Sequence, residues 1–242
     1  MSVWCFIPAR FESTRLPGKP LIELAGKPMI QWVVEKVCKA TLVDRVVVAT
    51  DHPRIVEVVH SFGGEAVLTS PEHPSGTDRI YEALGKGSPD VVINVQGDEP
   101  LIDPGTIDQI AGLFTEGEKP QMATLCHPLD PEEALDQAKV KVVCDNKGNA
   151  LYFSRAPIPY PRDGTDSDYF LHIGIYAYTP ETLRTFVALP QGRLEKLEKL
   201  EQLRALENGI PIRVATTPYR SFGVDTPQDA QVVDRILREQ KS

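Results

Sequence analysis

The sequence predicts an α/β fold in which helices cover both faces of a mostly parallel sheet. Short runs of Val and Ile without alternating polar residues indicate strands buried on both faces, and helical patterns separate these runs in the first half of the chain. The 242 residues are 41% hydrophobic and 25% charged, which is ordinary for a globular chain with a full core. We therefore expect one α/β domain over residues 1–242.

Strands and helices alternate through the first half of the chain. The predicted strands there are Val3–Ile7, Arg45–Ala49, Glu65–Leu68 and Val91–Val95. The predicted helices are Pro28–Ala40, Pro53–Phe62, Asp78–Leu84 and Pro104–Phe114. Proline in a first turn and Gly63-Gly64 after the second helix are ordinary boundary signals. This order is typical of parallel strands joined by crossover helices.

The second half of the chain is more mixed and richer in strands. Its predicted strands are Met122–Cys126, Val140–Cys144, Ala150–Ser154 and Ile173–Tyr178. A last helix is predicted from Thr226 to about Glu239. Because no linker separates the two halves, we expect a smaller β-rich lobe at about residues 125–190 that is inserted in the same domain.

A long helix is predicted over Arg193–Asn208, with Gly209 ending it. Its leucines recur every three residues, and steps of about 300° carry them around the helix axis. We therefore expect this helix to be packed on several sides, which could include a partner subunit. The Glu and Lys residues along it otherwise indicate a solvated face with i,i+4 pairs such as Glu195–Lys199.

Charge and composition argue against several classes of protein. The net charge is −8, whereas a general nucleic-acid or membrane-surface binder needs a basic surface. No apolar run approaches the ~20 residues of a membrane span. Met1–Ile7 lacks the basic segment and cleavage site of a signal peptide, so we expect a cytoplasmic protein. Four scattered cysteines without a CxxC pair indicate buried free thiols: Cys5, Cys38, Cys126 and Cys144.

The loop after the first strand carries three cations. Arg10, Arg15 and Lys19 are opposed there only by Glu12. Ligands of open α/β sheets bind beyond the carboxyl ends of the strands, and guanidinium and ammonium groups suit a triphosphate. The segment matches neither a P-loop nor a GxGxxG loop. A solvated surface loop would explain any one of these cations, but three on one loop favour an anion site.

Three later loops carry further polar groups. The segment that begins with Ser75-Gly76 opens a helix, so its hydroxyls are helix caps by default, although its place at a strand end also suits a base or ribose. Asp98 comes directly after the fourth strand and Gly97. It is either an ordinary turn residue or a ligand for Mg²⁺. Asp225 would be a helix cap by default, yet Asp98 and Asp225 could share a magnesium site across a cleft.

Taken together, these segments resemble the 3-deoxy-manno-octulosonate cytidylyltransferase (CMP-Kdo synthetase) family from about Ile7 to Asp229. The matching motifs are Ile7–Arg10, Ser13–Leu21, Ser75–Arg79, Asn94–Pro100, Ala150–Arg155, His172–Tyr176, Leu200–Arg204 and Gly223–Pro227. The opening motif alone would also admit CMP-sialate synthetases. The motifs Tyr152–Arg155 and Leu200–Arg204 make the match more specific. The stretch Arg162–Tyr169 is shorter than in many relatives.

The resemblance implies a Rossmann-like nucleotide-diphospho-sugar transferase fold with a smaller β-rich dimerisation lobe, and a homodimer. It implies a nucleotidyltransferase that makes CMP-Kdo and pyrophosphate from CTP and Kdo with Mg²⁺, for lipopolysaccharide biosynthesis. Residues matching the triphosphate site are Arg10, Arg15 and Lys19. Residues matching the cytidine site are Ser75, Gly76 and Gln96. Asp98 and Asp225 would bind magnesium, and with Lys19 they would be catalytic. Residues matching the sugar-acid pocket are Arg155, His172, Tyr176, Glu201 and Gln202.

Alternatives exist for the function and for single residues. The same reaction on 8-amino-Kdo or another acid sugar would use similar motifs, and a non-catalytic nucleotide-binding module could have the same fold. His172 lies among apolar residues, where a histidine is more often structural than a general base. Arg155 suits a sugar carboxylate, but it could equally pair with an acidic neighbour.

Overall fold

The computed structural model describes residues 1–12, 16–115, 117–162, 168–220 and 222–240. Its strands are β1 (Val3–Ala9), β2 (Glu23–Leu24), β3 (Lys27–Pro28), β4 (Arg45–Thr50), β5 (Glu65–Leu68), β6 (Val91–Asn94), β7 (Met122–Leu129), β8 (Lys141–Cys144), β9 (Ala150–Ser154), β10 (Tyr169–Tyr178) and β11 (Ile212–Thr216). Its helices are α1 (Met29–Val37), α2 (Pro53–Ser61), α3 (Gly76–Leu84), α4 (Pro104–Gly112), α5 (Pro180–Ala188), α6 (Arg193–Glu198), α7 (Leu203–Glu207) and α8 (Pro227–Glu239). Short 3-10 turns lie at Lys19–Leu21 and Glu133–Leu135.

The described strands form one large sheet and a small hairpin. The order across the large sheet is β11-β7-β10-β6-β1-β4-β5, and the β8–β9 hairpin branches from β10. Neighbours along that order are parallel except where β10 runs antiparallel to β6 and β7. The predicted mostly parallel sheet is therefore confirmed. Beside it, β2 and β3 pair only with each other among the described strands.

Alternating side chains of the central strands fill two separate cores. On β1, Cys5 and Ile7 face the core made with α1, α2 and α4, whereas Phe6 faces the core made with α3, α5 and α7. The sheet is therefore covered by helices on both faces, as predicted. Burying one large apolar side chain stabilises a fold by ~1.5–3 kcal/mol. Packing on both faces therefore stabilises the strands whose ends carry the polar loops.

The predicted elements of the first half are confirmed with small changes at their ends. Val37 rather than Ala40 ends α1, and β1 continues to Ala9. In the second half, α5 and β11 were not predicted. An ordinary signal marks α5, because Thr179 precedes a proline and accepts the N–H of Thr182 at 3.2 Å. β11 adds a parallel strand beside β7.

The prediction of one long helix over Arg193–Asn208 is wrong. The chain forms α6, breaks at Lys199 in the left-handed conformation (φ 55°, ψ 46°), and resumes as α7. The break brings the Arg204 guanidinium to the Glu195 carboxylate, with hydrogen bonds of 2.9 and 2.7 Å. Both side chains are buried, and each charge offsets the lost hydration of the other. The predicted Glu195–Lys199 pair on a solvated face is therefore also wrong.

The β8–β9 hairpin lies within the predicted lobe at about residues 125–190. Its strands pair antiparallel, and β8 contacts β10 through Lys141 and Leu171. The bounds of the lobe, and the single domain over 1–242, stay predictions. Of the segment Arg162–Tyr169, residues 163–167 lie outside the described residues.

The four cysteines are free thiols, as predicted. Cys5 and Cys126 are buried, but Cys38 and Cys144 are exposed, so the prediction that all four are buried is wrong for those two. They lie beside apolar runs rather than within them, at the end of α1 and of β8. No helix in the described ranges is long and apolar enough to cross a membrane.

Candidate active site

A cleft of about 400 Å³ opens at the carboxyl ends of β1 and β6. Its walls come from the loops after these strands, from the start of α3, and from the loop before α8. Six residues predicted to bind nucleotide or metal line it: Arg10, Lys19, Gly76, Gln96, Asp98 and Asp225. The structure therefore brings together groups from four separate loops. Arg15, the third predicted cation, lies outside the described residues.

Two glycines allow these loops to meet at Pro8, near the end of β1. A β-carbon on Gly97 would lie 2.7 Å from the Pro8 carbonyl oxygen, which is too close for any other residue. A β-carbon on Gly76 would lie 3.1 Å from Pro8 Cγ. Both loops therefore approach Pro8 closely, and Pro8, Gly76 and Gly97 all line the cleft.

Lys19 joins the two carboxylates that were predicted to share a magnesium site. Its Nζ donates to Asp98 Oδ2 at 2.5 Å and to Asp225 Oδ1 at 3.0 Å. The loops are also tied through the backbone, since the Val224 N–H donates to the Asp98 carbonyl at 2.9 Å. The alternative that Asp225 caps α8 is wrong, because Thr226 is the cap residue.

The pair of carboxylates fits a magnesium ion. Both lie within hydrogen-bond reach of one nitrogen, so a single small cation could contact both. Among the residues that the structure describes, no cluster of three or more His, Cys, Asp or Glu side chains could hold a metal. Mg²⁺ is commonly held by one or two carboxylates plus substrate phosphates, so two carboxylates beside a cleft of this kind suffice.

The predicted cytidine-binding residues have partners within the fold. Ser75 caps α3: its hydroxyl oxygen accepts the Thr77 and Asp78 N–H groups at 3.1 and 3.2 Å and donates to Asp78 Oδ2 at 2.7 Å. The default interpretation of Ser75 as a cap is thus confirmed. The Gln96 amide donates to the Gly174 carbonyl on β10 at 3.2 Å, which holds it at the inner wall of the cleft.

The five residues predicted for the sugar acid lie directly after β9 (Arg155), on β10 (His172 and Tyr176) and between α6 and α7 (Glu201 and Gln202). His172 Nε2 lies 3.1 Å from the Thr124 hydroxyl, and its ring contacts those of Phe153 and Tyr176. Desolvation lowers the pKa of His172 to about 3, so the imidazole is neutral near pH 7. Burial raises the pKa of Tyr176 well above its usual value. Both groups are therefore suited to hydrogen bonding and packing rather than to proton transfer.

Hydrogen bonds fix the Arg155 side chain directly after the end of β9. Its Nε donates to the Glu198 carbonyl at 2.9 Å and its Nη1 to the Gln137 carbonyl at 3.0 Å. The Glu198 carboxylate accepts the Arg155 N–H at 3.0 Å and the Ser154 hydroxyl at 2.6 Å. Within the described part of the chain the guanidinium forms no salt bridge with a carboxylate, so its charge is left for an anionic ligand.

Lys141 is a buried cation that was not among the predicted site residues. Its Nζ donates to the carbonyls of Asp136, Lys139 and Arg155 at 3.0, 2.6 and 2.6 Å. Desolvation lowers its pKa. Lys141 thus fixes the backbone of Arg155 against the loop that accepts its guanidinium. A lysine inside the apolar run Val140–Val143 was the available signal.

Glu201 and Gln202 follow the break after α6. The Thr77 hydroxyl donates to Glu201 Oε2 at 2.6 Å, while Glu201 Oε1 has no hydrogen-bond partner among the described residues. Gln202 is 4% exposed, and its Nε2 likewise lacks a partner there. Burial raises the pKa of Glu201. Unsatisfied buried polar atoms are costly, and ligand hydroxyls would satisfy them.

Comparisons with known proteins agree with this arrangement. Residues 4–213 match a family described as Cytidylyltransferase. The chain is 50% identical to a 3-deoxy-manno-octulosonate cytidylyltransferase of Syntrophotalea carbinolica, over 98% of this chain and 99% of that protein. It is 52% identical to an 8-amino-3,8-dideoxy-manno-octulosonate cytidylyltransferase of Shewanella piezotolerans, with the same coverage. A solved structure of CMP:2-keto-3-deoxy-manno-octonic acid synthetase complexed with CTP superimposes with a TM-score of 0.96 at 42% identity, over 99% of this chain and 100% of that one.

Proposed function

The chain belongs to the cytidylyltransferase family, and on that premise we propose that it converts CTP and Kdo into CMP-Kdo and pyrophosphate. The observation that carries this proposal is the meeting of Lys19, Asp98 and Asp225 at one cleft beside Arg10. Relatives that are alike over their whole length, and a CTP complex of the same fold, support it.

The proposed reaction is an in-line transfer of the cytidylyl group. The anomeric hydroxyl oxygen of the sugar acid forms a bond to the α-phosphorus of CTP and loses its proton. The bond between the α-phosphorus and its bridging oxygen to the β-phosphate breaks, and pyrophosphate leaves. Such a transfer depends on positioning and on charge neutralisation rather than on a covalent nucleophile of the protein.

The residues of the cleft have separable roles in this proposal. Arg10 and Lys19 neutralise phosphate oxygens, and Lys19 offsets the charge that builds up at the α-phosphate. Asp98 and Asp225 would hold magnesium. When bound, Mg²⁺ neutralises phosphate charge and lowers the pKa of a coordinated hydroxyl. Gly76 and Gln96 line the part of the cleft that we assign to cytidine, and Arg15 is assigned to the triphosphate by motif alone.

The second group of residues is proposed to bind the sugar acid. Arg155 offers a fixed positive charge for the carboxylate, because carbonyl groups rather than carboxylates orient its guanidinium. Glu201 Oε1 and Gln202 Nε2 offer an acceptor and a donor for sugar hydroxyls. His172 and Tyr176 pack against each other beside them.

The decisive test is the release of pyrophosphate. We expect release only when CTP, Kdo and Mg²⁺ are present together, with each omission reducing it to background. Release from CTP alone, or none with all three, would contradict the proposal. A non-catalytic nucleotide-binding module would bind CTP without any release.

The nature of the sugar requires a second panel. The chain is equally close to relatives named for Kdo and for its 8-amino derivative. We propose Kdo as the substrate and expect its kcat/KM to exceed those of 8-amino-Kdo and sialate. Among the nucleotides, we expect the kcat/KM of CTP to exceed those of UTP and GTP. A higher kcat/KM with 8-amino-Kdo would favour the alternative.

We further propose that the protein is a homodimer through the β-rich lobe. Large apolar side chains on this part of the chain are exposed, namely Leu135 (71%), Leu151 (62%) and Tyr160 (82%). Exposed apolar side chains mark an interaction surface when they form one contiguous patch, and we propose that these three do so. We expect light scattering to give twice the mass of one chain, and Leu151→Asp to shift the population towards monomer. A monomeric unmodified protein would contradict this proposal.

The cellular setting follows from the proposed chemistry. We place the protein in the cytoplasm, where CTP is made, and in lipopolysaccharide biosynthesis, which consumes activated Kdo. A fusion that reports cytoplasmic and periplasmic location would test the first part, and loss of Kdo from the lipopolysaccharide of a depleted strain would test the second.

A further inference from the structure

One hydrogen bond connects the loop proposed for the nucleotide with the residues proposed for the sugar. The Thr77 hydroxyl on α3 donates to Glu201 Oε2 at 2.6 Å, and the Thr77 residue is only 2% exposed. The preceding residue, Gly76, lines the cleft. Thr77 therefore lies one residue from the proposed nucleotide site and one hydrogen bond from the proposed sugar site.

The orientation of the Glu201 carboxylate depends on this contact. The nearest cation to Oε1 is Arg204 Nη2 at 3.7 Å, but the Arg204 guanidinium is already engaged by both oxygens of Glu195. The Ser75 hydroxyl also hydrogen-bonds Glu201, and it contacts Asp78 Oδ2 at 2.7 Å. Thr77 is the donor that engages Oε2, and Oε1 is left without a hydrogen-bond partner among the described residues.

We propose that Thr77 is a positioning residue that orients Glu201 so that Oε1 accepts a hydroxyl group of the acid sugar. This inference deepens the proposed function and rests on it. Thr77 touches neither substrate in this account; it acts through Glu201. Without this hydrogen bond the Glu201 carboxylate is no longer oriented towards the sugar, so we expect sugar binding to weaken by about tenfold or more.

The same contact affects the pH dependence of the reaction. Burial raises the pKa of Glu201, and the Ser75 and Thr77 hydroxyls oppose that rise because they stabilise the carboxylate. Other titratable or charged groups facing Glu201 are Asp78 on α3, Arg204 on α7, and Tyr176 and Tyr178 on β10. Of these four, Tyr178 also loses a hydrogen bond with Thr77 when the Thr77 hydroxyl is removed. Without the hydroxyl, the pKa of Glu201 rises further, and the acid limb of kcat/KM for the sugar moves to higher pH.

The experiment compares Thr77→Val, which has nearly the same shape but no hydroxyl, with Thr77→Ser, which keeps the hydroxyl. We expect Thr77→Val to raise the KM for Kdo about tenfold or more and to shift the acid limb upward, while the KM for CTP changes less than twofold. Thr77→Ser is expected to return the KM for Kdo and the position of the acid limb to those of the unmodified protein. Thr182→Val is the matched control, because Thr182 is also buried in a first helical turn, shares one side-chain hydrogen bond with Thr179, and is not among the residues that line the cleft.

Several outcomes would overturn the inference. An unchanged KM for Kdo in Thr77→Val, or equal increases for Kdo and CTP, would mean that Thr77 only supports the fold. Should the valine variant unfold, Thr77→Ala removes the same hydroxyl and must show the same selective increase. If Glu201→Gln leaves the KM for Kdo unchanged, the assignment of Glu201 itself is wrong. If the unmodified protein releases no pyrophosphate, the proposed function is wrong.

Discussion

Replacing Asp225 with asparagine is expected to lower the turnover number by about 10²–10³-fold while CTP still binds. The amide keeps the shape of the side chain but removes one of the two negative charges that meet at Lys19. In the proposed site, Asp98 alone would hold magnesium less tightly, so the Mg²⁺ concentration for half-maximal rate is expected to rise. Rates of pyrophosphate release across a Mg²⁺ titration, with calorimetry for CTP, measure both effects.

Asp234→Asn is the control for this substitution. Asp234 is an aspartate of α8 whose carboxylate pairs with Arg238 and accepts the Ala25 N–H, away from the cleft. This variant carries the same change in net charge and is expected to turn over normally. Near-normal turnover of Asp225→Asn would rule out the assignment of Asp225 to a metal site.

Replacing Lys19 with alanine is expected to reduce the turnover number by a similar factor of about 10²–10³ and to raise the KM for Kdo much less. The Lys19 ammonium contacts both carboxylates and lines the cleft that we propose for the triphosphate. Removing it leaves Asp98 and Asp225 without that positive charge. The apparent affinity for Mg²⁺ is therefore expected to stay equal or to rise, which is opposite to the effect of Asp225→Asn.

This opposition separates the two roles. A loss of turnover with weaker Mg²⁺ binding identifies a metal ligand, whereas a loss with unchanged or tighter Mg²⁺ binding identifies a group that acts on the phosphates. Lys27→Ala is the control, because Lys27 pairs with Glu35 outside the cleft. An unchanged rate in Lys19→Ala would remove Lys19 from the mechanism.

Much of the fold could be predicted because its signals are local. The Val/Ile runs of β1, β4 and β6 have no alternating polar residues, and that pattern alone indicates strands covered on both faces. The failure at Arg193–Asn208 has a tertiary cause. A leucine every third residue fits a helix, but the bidentate pair between Glu195 and Arg204 holds the chain in a break at Lys199.

The candidate site could be predicted only in part, because local signals reveal some of its residues and distant contacts determine the others. Lys19, Asp98 and Asp225 could be selected because each follows a strand or precedes a helix at a recognisable turn. Lys141 and Thr77 were not selected for a role of their own, because their importance comes from distant partners. Thr77 looks like an ordinary residue of a helix start until its hydroxyl is seen to reach Glu201.

The sequence by itself therefore determined the class of fold, the family and the chemical character of the loops, since strand patterns, turns and charges depend on neighbours along the chain. Only the tertiary structure decided which of those charges meet. Lys19 and Asp225 are 206 residues apart in sequence, yet their side chains are 3.0 Å apart at the cleft. The sheet determines that contact, because β1 and β6 lie side by side with their carboxyl ends together and the Asp98 carbonyl holds the loop before α8 against them.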